Sequence, residues 1–195
     1  MKNKINKILK EIRSKKEELS VEYKKIKGKY WFNIEWKKIV WNTKAKKKLK
    51  KLKKPILDTI FWTWFREFIS IPFIWLMLIP AFLLDIWLFI YQNTAIRLYK
   101  IPLAKRSDYI IFDRKELAYL NVIQKLNCIY CSYFNGLMQY SVEVAGRTEK
   151  YWCPIKHARK KLGSHDWEVF FAEYGDSEWF KETFCNLKAF DKIKK

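Results

Sequence analysis

The chain has 195 residues, of which 50% are hydrophobic and 18% aromatic, and its formal net charge is +20. This composition can bury a core, which excludes wholesale disorder, and 4 Cys are too few for a disulfide-stapled scaffold. The charge is concentrated at one end, because residues 1–55 carry 21 Lys and Arg against 5 Asp and Glu. We therefore expect three parts: a lysine-rich helical arm at 1–55, a membrane-embedded segment at 56–104 and a helical cysteine-containing module at 105–195.

The first part of the arm, residues 1–27, has the apolar spacing of an amphipathic helix. Apolar residues recur every seven positions from Ile5 to Ile26, and glutamates interleave with lysines at spacings that suit i,i+4 ion pairs. The pattern predicts either a solvated helix or a coiled-coil helix that binds a protein partner. Lys15 and Glu22 occupy the second seam position and weaken the coiled-coil interpretation.

A run of lysines with no acidic residue ends the arm. Its members are Lys44, Lys46, Lys47, Lys48, Lys50, Lys51, Lys53 and Lys54. Such a run attracts the phosphates of nucleic acid or the headgroups of anionic lipids, and it can also serve only as a solubilising tail. Because the apolar stretch begins at Ile56, directly after the run, the sequence favours anionic lipid over nucleic acid as the partner.

The most apolar stretch runs without a charge from Phe68 to Leu84 and resumes after Asp85. A membrane span needs about 20 apolar residues, so the stretch is long enough to cross a bilayer. Pro72 and Pro80, the single acid and the basic flanks on both sides favour a helical hairpin or a re-entrant dip. A single span and a buried core helix are the alternatives. Basic residues on both flanks also predict that both termini lie in the cytoplasm.

The module after the apolar stretch is predicted to be a small helical bundle, which makes the fold mainly α. Asp113 and Glu116 have the spacing of a capping box, so a long helix should begin directly after Asp113 and continue to about Lys150. Pro154 suits the first position of a second helix, with Cys153 as its N-cap. If this second helix packs back along the first, it brings the cysteines of the two helices together.

The candidate metal ligands are Cys128, Cys131, Cys153 and His157. Three Cys and one His form a known tetrahedral zinc site, and C-x2-C is a standard ligand spacing. Thiolates and imidazole favour zinc, with iron or copper as alternatives. A site of this kind would be structural or sensory. Two alternatives stay open: a membrane-bound thiol redox protein that uses Cys128 and Cys131, and a non-enzymatic membrane scaffold or interaction protein whose cysteines are inert. The sequence predicts no reaction.

Four short motifs resemble those of a family of uncharacterised bacterial membrane-associated proteins. They are Lys105–Arg114 (KRSDYIIFDR), Asn127–Cys131 (NCIYC), Arg147–Ala158 (RTEKYWCPIKHA) and Tyr174–Asp176 (YGD). The resemblance covers residues 68–180 and leaves out the lysine-rich arm. It implies no activity, because that family has no assigned function. Together with the basic flanks it predicts a location at the bacterial inner membrane.

Overall fold

A computed structural model describes residues 11–12, 14–23, 25, 32–35, 38–53, 55, 64–159 and 161–191. The described residues are mainly helical, which confirms the predicted fold class. The chain divides into two compact units. The first contains Met1–Thr59 and Asp113–Lys125, and the second contains Ile60–Phe112 and Leu126–Lys195.

The first unit combines helix with a short β-hairpin. Residues 14–23 are helical, as predicted, and residues 1–10 of the predicted arm helix lie outside the described part of the chain. Strands β1 (Phe32–Glu35) and β2 (Lys38–Trp41) pair antiparallel. This hairpin was not predicted. Helix α1 (Thr43–Lys51) follows directly, and the Asn42 side chain caps it by accepting a hydrogen bond from the Lys44 backbone N–H.

The apolar stretch forms one helical rod in the second unit. Helix α2 (Trp64–Leu76) leads into α3 (Leu78–Tyr91) through Met77, which keeps helical dihedral angles. A π-helical segment, Gln92–Ile96, continues the rod. The apolar part, Ile69–Ile96, has 28 residues and is about 42 Å long.

The prediction of a helical hairpin is wrong, because the chain does not turn back within this stretch. Pro72 lies inside α2. Pro80 lies in the first turn of α3, just after Met77, so its missing N–H removes one hydrogen bond at the junction of α2 and α3. The two prolines are therefore accommodated in the rod and do not reverse the chain.

Helix α4 (Val122–Trp152) is the longest element, with 31 residues and a length of about 46 Å. Its predicted start directly after Asp113 is wrong, because Arg114–Glu116 forms only a 3-10 turn. A reciprocal cap starts α4 instead. The Gln124 backbone N–H donates to Asn121 Oδ1 at 2.9 Å, and the Asn121 N–H donates to Gln124 Oε1 at 3.0 Å.

The predicted helix after Pro154 is also wrong. Ile155 forms a parallel bridge with Ala172. The Ala172 N–H donates to the Pro154 carbonyl at 2.7 Å, so this segment is extended. A 3-10 turn, Glu168–Phe170, and two short helices complete the module: α5 (Ser177–Thr183) and α6 (Lys188–Asp191).

Two hydrophobic clusters hold the second unit together. The larger joins α3, the return loop (residues 97–112) and α4; its buried members are Ala81, Leu88, Ala104, Ile110, Leu137, Tyr140 and Val144. The smaller contains Ile96, Ile101, Trp167, Phe171 and Phe190. Asp85 contacts Tyr133 and Gln92 contacts Tyr140. In both contacts the residue on α4 follows its partner by 48 residues. The rod and α4 therefore run in the same direction, with the return loop between them.

Candidate membrane-contact surface and polar cluster

The rod formed by α2 and α3 exposes a continuous apolar surface. Only 6% of its most apolar 18 residues are buried, so the described part of the chain does not cover this helix as a core. Soluble monomers rarely expose contiguous apolar patches larger than a few hundred Å². By length and composition the helix could cross a membrane. We call the exposed large hydrophobic side chains the apolar face: Ile69, Ile71, Phe73, Ile74, Trp75, Leu76, Met77, Ile79, Phe82, Leu83, Ile86, Trp87, Phe89 and Ile90.

The side of α3 that faces the rest of the second unit carries its polar groups. Ala81, Leu88 and Gln92 are buried there, and Asp85 lies on the same stripe at spacings of three to four residues. Asp85, the one charged residue of α3, lies on this inward side, and large apolar residues point outward. An exposed apolar side with the acid paired inward is typical of helices in contact with lipid.

Asp85 is the centre of a polar cluster beneath the apolar face. Arg106 binds both carboxylate oxygens: Nε donates to Oδ1 at 3.0 Å, and Nη2 donates to Oδ2 at 2.6 Å. The Tyr133 hydroxyl donates to Oδ2 at 3.1 Å. The hydrogen bond to Asp85 raises the pKa of Arg106, and burial raises the pKa of Tyr133. The carboxylate is thus fully paired by a bidentate charged contact and a phenol.

A second polar contact fastens the return loop to α3. The Ala104 backbone N–H donates to Gln92 Oε1 at 2.8 Å, and Gln92 Nε2 donates to the Ala104 carbonyl at 3.3 Å. The same Nε2 group contacts the Tyr140 hydroxyl on α4. Gln92 is buried, so its amide replaces the water that the loop backbone would otherwise need. The return loop therefore has a fixed position along the rod.

The structure does not bring the four predicted metal ligands together. Cys131 lies in the first third of α4, and Cys153 follows its last residue. Because α4 is continuous, 22 residues at about 1.5 Å each separate Cys131 from Cys153 by about 33 Å. Ligands of one zinc ion lie within about 2.3 Å of it. The predicted shared site of Cys128, Cys131, Cys153 and His157 is therefore wrong, and within the described ranges no group of three or more His, Cys, Asp or Glu could hold a metal ion.

The cysteines themselves are free thiols. Cys128, Cys131 and Cys185 are half-buried, and Cys153 is exposed. Cys128 and Cys131 are three residues apart on α4, so they share one face of the helix. The use of this pair in thiol redox chemistry stays a prediction.

The predicted lipid-binding lysines are exposed where the structure describes them. Lys44, Lys46, Lys47, Lys48, Lys50 and Lys51 belong to α1, and Lys53 follows it. Ala45 is the buried residue of this helix. Lys54 lies outside the described residues. A helix covered by cations in this way can contact a negatively charged surface along much of its circumference.

Comparison with known proteins gives no relative, since no family model, no curated protein and no solved structure matches the chain. The resemblance to a membrane-associated family therefore stays a prediction.

The polar cluster is the feature that the sequence analysis missed. In the sequence, Asp85 only interrupts the apolar stretch, and Arg106 is one of several basic residues that follow it. A lone acid in an apolar helix does indicate that a partner exists. Nothing in the sequence indicates that the partners are Arg106 and Tyr133.

Proposed function

We propose that this chain is a membrane-surface protein whose rod of α2 and α3 inserts its apolar face into one leaflet of the bilayer. It would act there as an attached scaffold that presents the lysine-rich arm and the C-terminal module at the membrane surface. The observation that carries the proposal is the exposed apolar face together with the inward pairing of the acid of α3. Its charged residue, Asp85, is paired inside the second unit, whereas its large apolar side chains point outward.

The energetics of the apolar face support insertion. Burying one large aliphatic or aromatic side chain contributes about 1.5–3 kcal/mol. If each side chain of the apolar face lost about half of its contact with water, the free energy of membrane binding would become more favourable by on the order of 10 kcal/mol. This gain is large compared with the net stability of a typical domain.

The return loop favours a rod that lies along the membrane surface over one that crosses the bilayer. Arg106 binds Asp85 close to the middle of the apolar helix, and Arg106 and its chain neighbours Lys105 and Asp108 are exposed. Exposed charges and irregular backbone do not occur against lipid at mid-bilayer depth. A rod in the plane of the interface keeps these groups in water while the apolar face contacts lipid. Reporter fusions at the two termini would contradict this orientation if they fell on opposite sides of the membrane.

Replacing three members of the apolar face is expected to release the protein from the membrane. In the triple variant Phe82→Gln, Trp87→Gln, Phe89→Gln, three side chains that are at least 60% exposed lose their affinity for lipid. We expect the wild-type protein to stay in the pellet after a carbonate wash and the variant to appear in the supernatant.

The matched control places the same substitutions on exposed hydrophobic residues outside the apolar face. Leu162, Val169 and Tyr174 are exposed residues of the C-terminal module. Their replacement by Gln should leave the protein in the pellet. Recovery of the wild-type protein in the soluble fraction without detergent would refute the proposal, and so would equal retention of the apolar-face variant.

The lysines of α1 are expected to add an electrostatic contribution to membrane binding. Each Lys near an anionic surface contributes about 1 kcal/mol. Replacing the six lysines of α1 by Gln should therefore weaken binding to vesicles that contain phosphatidylglycerol by at least about tenfold at low salt. Binding to vesicles of phosphatidylcholine serves as the control and should not change. If wild-type binding to anionic vesicles did not decrease with added salt, the electrostatic role would be wrong.

A further inference from the structure

An apolar groove lies between the rod and α4, and it shares one edge with the apolar face. Its volume is about 620 Å³, which is within the usual range of ligand sites, about 300–1,000 Å³. Leu78, Ile79 and Leu83 line it from α3. Leu126, Ile129 and Tyr133 line it from α4. All lining residues are aliphatic or aromatic, so the groove selects an apolar ligand.

We propose that the groove holds one acyl chain of a phospholipid from the leaflet into which the rod inserts. This inference rests on the proposed function. Ile79, Phe82 and Leu83 belong both to the lining of the groove and to the apolar face. The groove is therefore continuous with the surface that contacts lipid. An acyl chain could enter it from the side without crossing water, and it would cover apolar area that no described residue covers.

The polar cluster at the end of the groove fits the headgroup of such a lipid. Tyr133 lines the groove, and its hydroxyl binds Asp85. Arg106 completes this cluster, yet its side chain is 48% exposed, so part of the guanidinium faces outward. Lys105 beside it is also exposed. Asp85 and Asp108 balance the charges of Arg106 and Lys105 here, so this polar end can accept hydrogen-bonding headgroup atoms, and the apolar lining of the groove is what selects the acyl chain.

Aromatic contacts join the two walls of the groove. Trp75 of α2 and Tyr130 of α4 lie with ring centroids 5.7 Å apart, and Tyr130 stacks on Phe134 at 5.9 Å. Pairs at these distances stabilise each other beyond simple burial. The site is thus preformed, and binding an acyl chain requires little ordering of side chains.

Photochemical labelling of the full-length protein in lipid nanodiscs tests the proposal. The probe is a phosphatidylglycerol with a diazirine in the middle of one acyl chain, and adducts are located by peptide mass spectrometry. Ile129 lines the groove and is not part of the apolar face. We expect adducts around Ile129, and we expect Ile129→Trp, which fills the groove, to reduce them about tenfold.

Two further variants make the result specific. Leu126→Trp fills the same groove from a residue that is already 49% exposed, so it should reduce the adducts even if Ile129→Trp disturbs folding. Val142→Trp adds the same side chain to an exposed position of α4 outside the groove and should have no effect. Near-ultraviolet circular dichroism confirms that each variant is folded.

The outcomes separate this inference from the proposed function. Adducts on Trp87 or Phe89 without adducts around Ile129 would show membrane attachment and refute the acyl site. The same result would follow if a second copy of the chain, and not lipid, filled the groove. If the protein did not associate with nanodiscs at all, the proposed function itself would fail.

Discussion

Replacing Gly136 by alanine is expected to destabilise the second unit by about 1–3 kcal/mol, the cost of overpacking a close contact. A Cβ atom at this position would lie 2.7 Å from the Tyr109 carbonyl oxygen and 2.9 Å from Ile110 Cα. Both are backbone atoms of the return loop, so the clash cannot be relieved by a side-chain rotation. Helix propensity alone predicts the opposite change in stability, since alanine normally stabilises a helix by about 1 kcal/mol relative to glycine.

Gly146 on the same helix supplies the matched control. A Cβ atom there would contact His165 and Trp167 at 2.9–3.0 Å, and both contacts are with side-chain atoms. These rings are mostly buried, so Gly146→Ala should also destabilise the protein, but less than Gly136→Ala, because a ring can shift by a few tenths of an ångström without moving the backbone. Urea unfolding in a mild detergent measures both. A Gly136→Ala variant as stable as the wild-type protein would show that α4 and the return loop are not in close contact.

The sequence allows the helical class to be predicted, because it depends on local patterns. The charge-free run from Phe68 to Leu84 is visible without any knowledge of the fold, but it does not show whether the chain turns back within the run. The residues at which a helix begins and ends depend less on the nearby sequence alone. Asp113 and Glu116 have the spacing of a capping box, yet α4 begins at the equivalent pair Asn121 and Gln124.

The predicted metal site failed for a geometric reason. The spacing between Cys131 and Cys153 is compatible with two ligands of one ion only if the chain reverses between them. Instead, α4 continues to Trp152 without a break and places the two residues at a large separation. Periodicity indicates that a segment is helical, but it does not show where the chain reverses.

The polar cluster could not be predicted either, since it depends on tertiary contacts. Arg106 follows Asp85 by 21 residues and Tyr133 follows it by 48. The return loop brings the first partner back along the rod, and the parallel packing of α4 brings the second. The sequence offers several other basic residues near the stretch, for example Arg97 and Lys100, and nothing local distinguishes Arg106 from them.

The Asp85–Arg106 pair is expected to respond unequally to removal of its two partners. Asp85 has a side-chain exposure of 15% and Arg106 of 48%. In Arg106→Met the carboxylate keeps only the Tyr133 hydroxyl and has little access to water, so we expect a loss of about 2–3 kcal/mol. In Asp85→Leu the guanidinium can be hydrated and the leucine gains apolar contacts, so the loss should be about 1 kcal/mol or less.

The double variant Asp85→Leu, Arg106→Met tests the cause of this asymmetry. If the unpaired carboxylate is what destabilises Arg106→Met, removing it as well should restore most of the stability, since a paired charge can often be replaced by apolar residues of similar size. The coupling free energy follows from urea unfolding of the four proteins. Tyr133→Phe serves as a milder reference, because it removes one neutral donor and leaves the bidentate contact of Arg106 intact. Equal losses in the two single variants, with no recovery in the double variant, would mean that Arg106 stabilises the loop through packing and not through its charge.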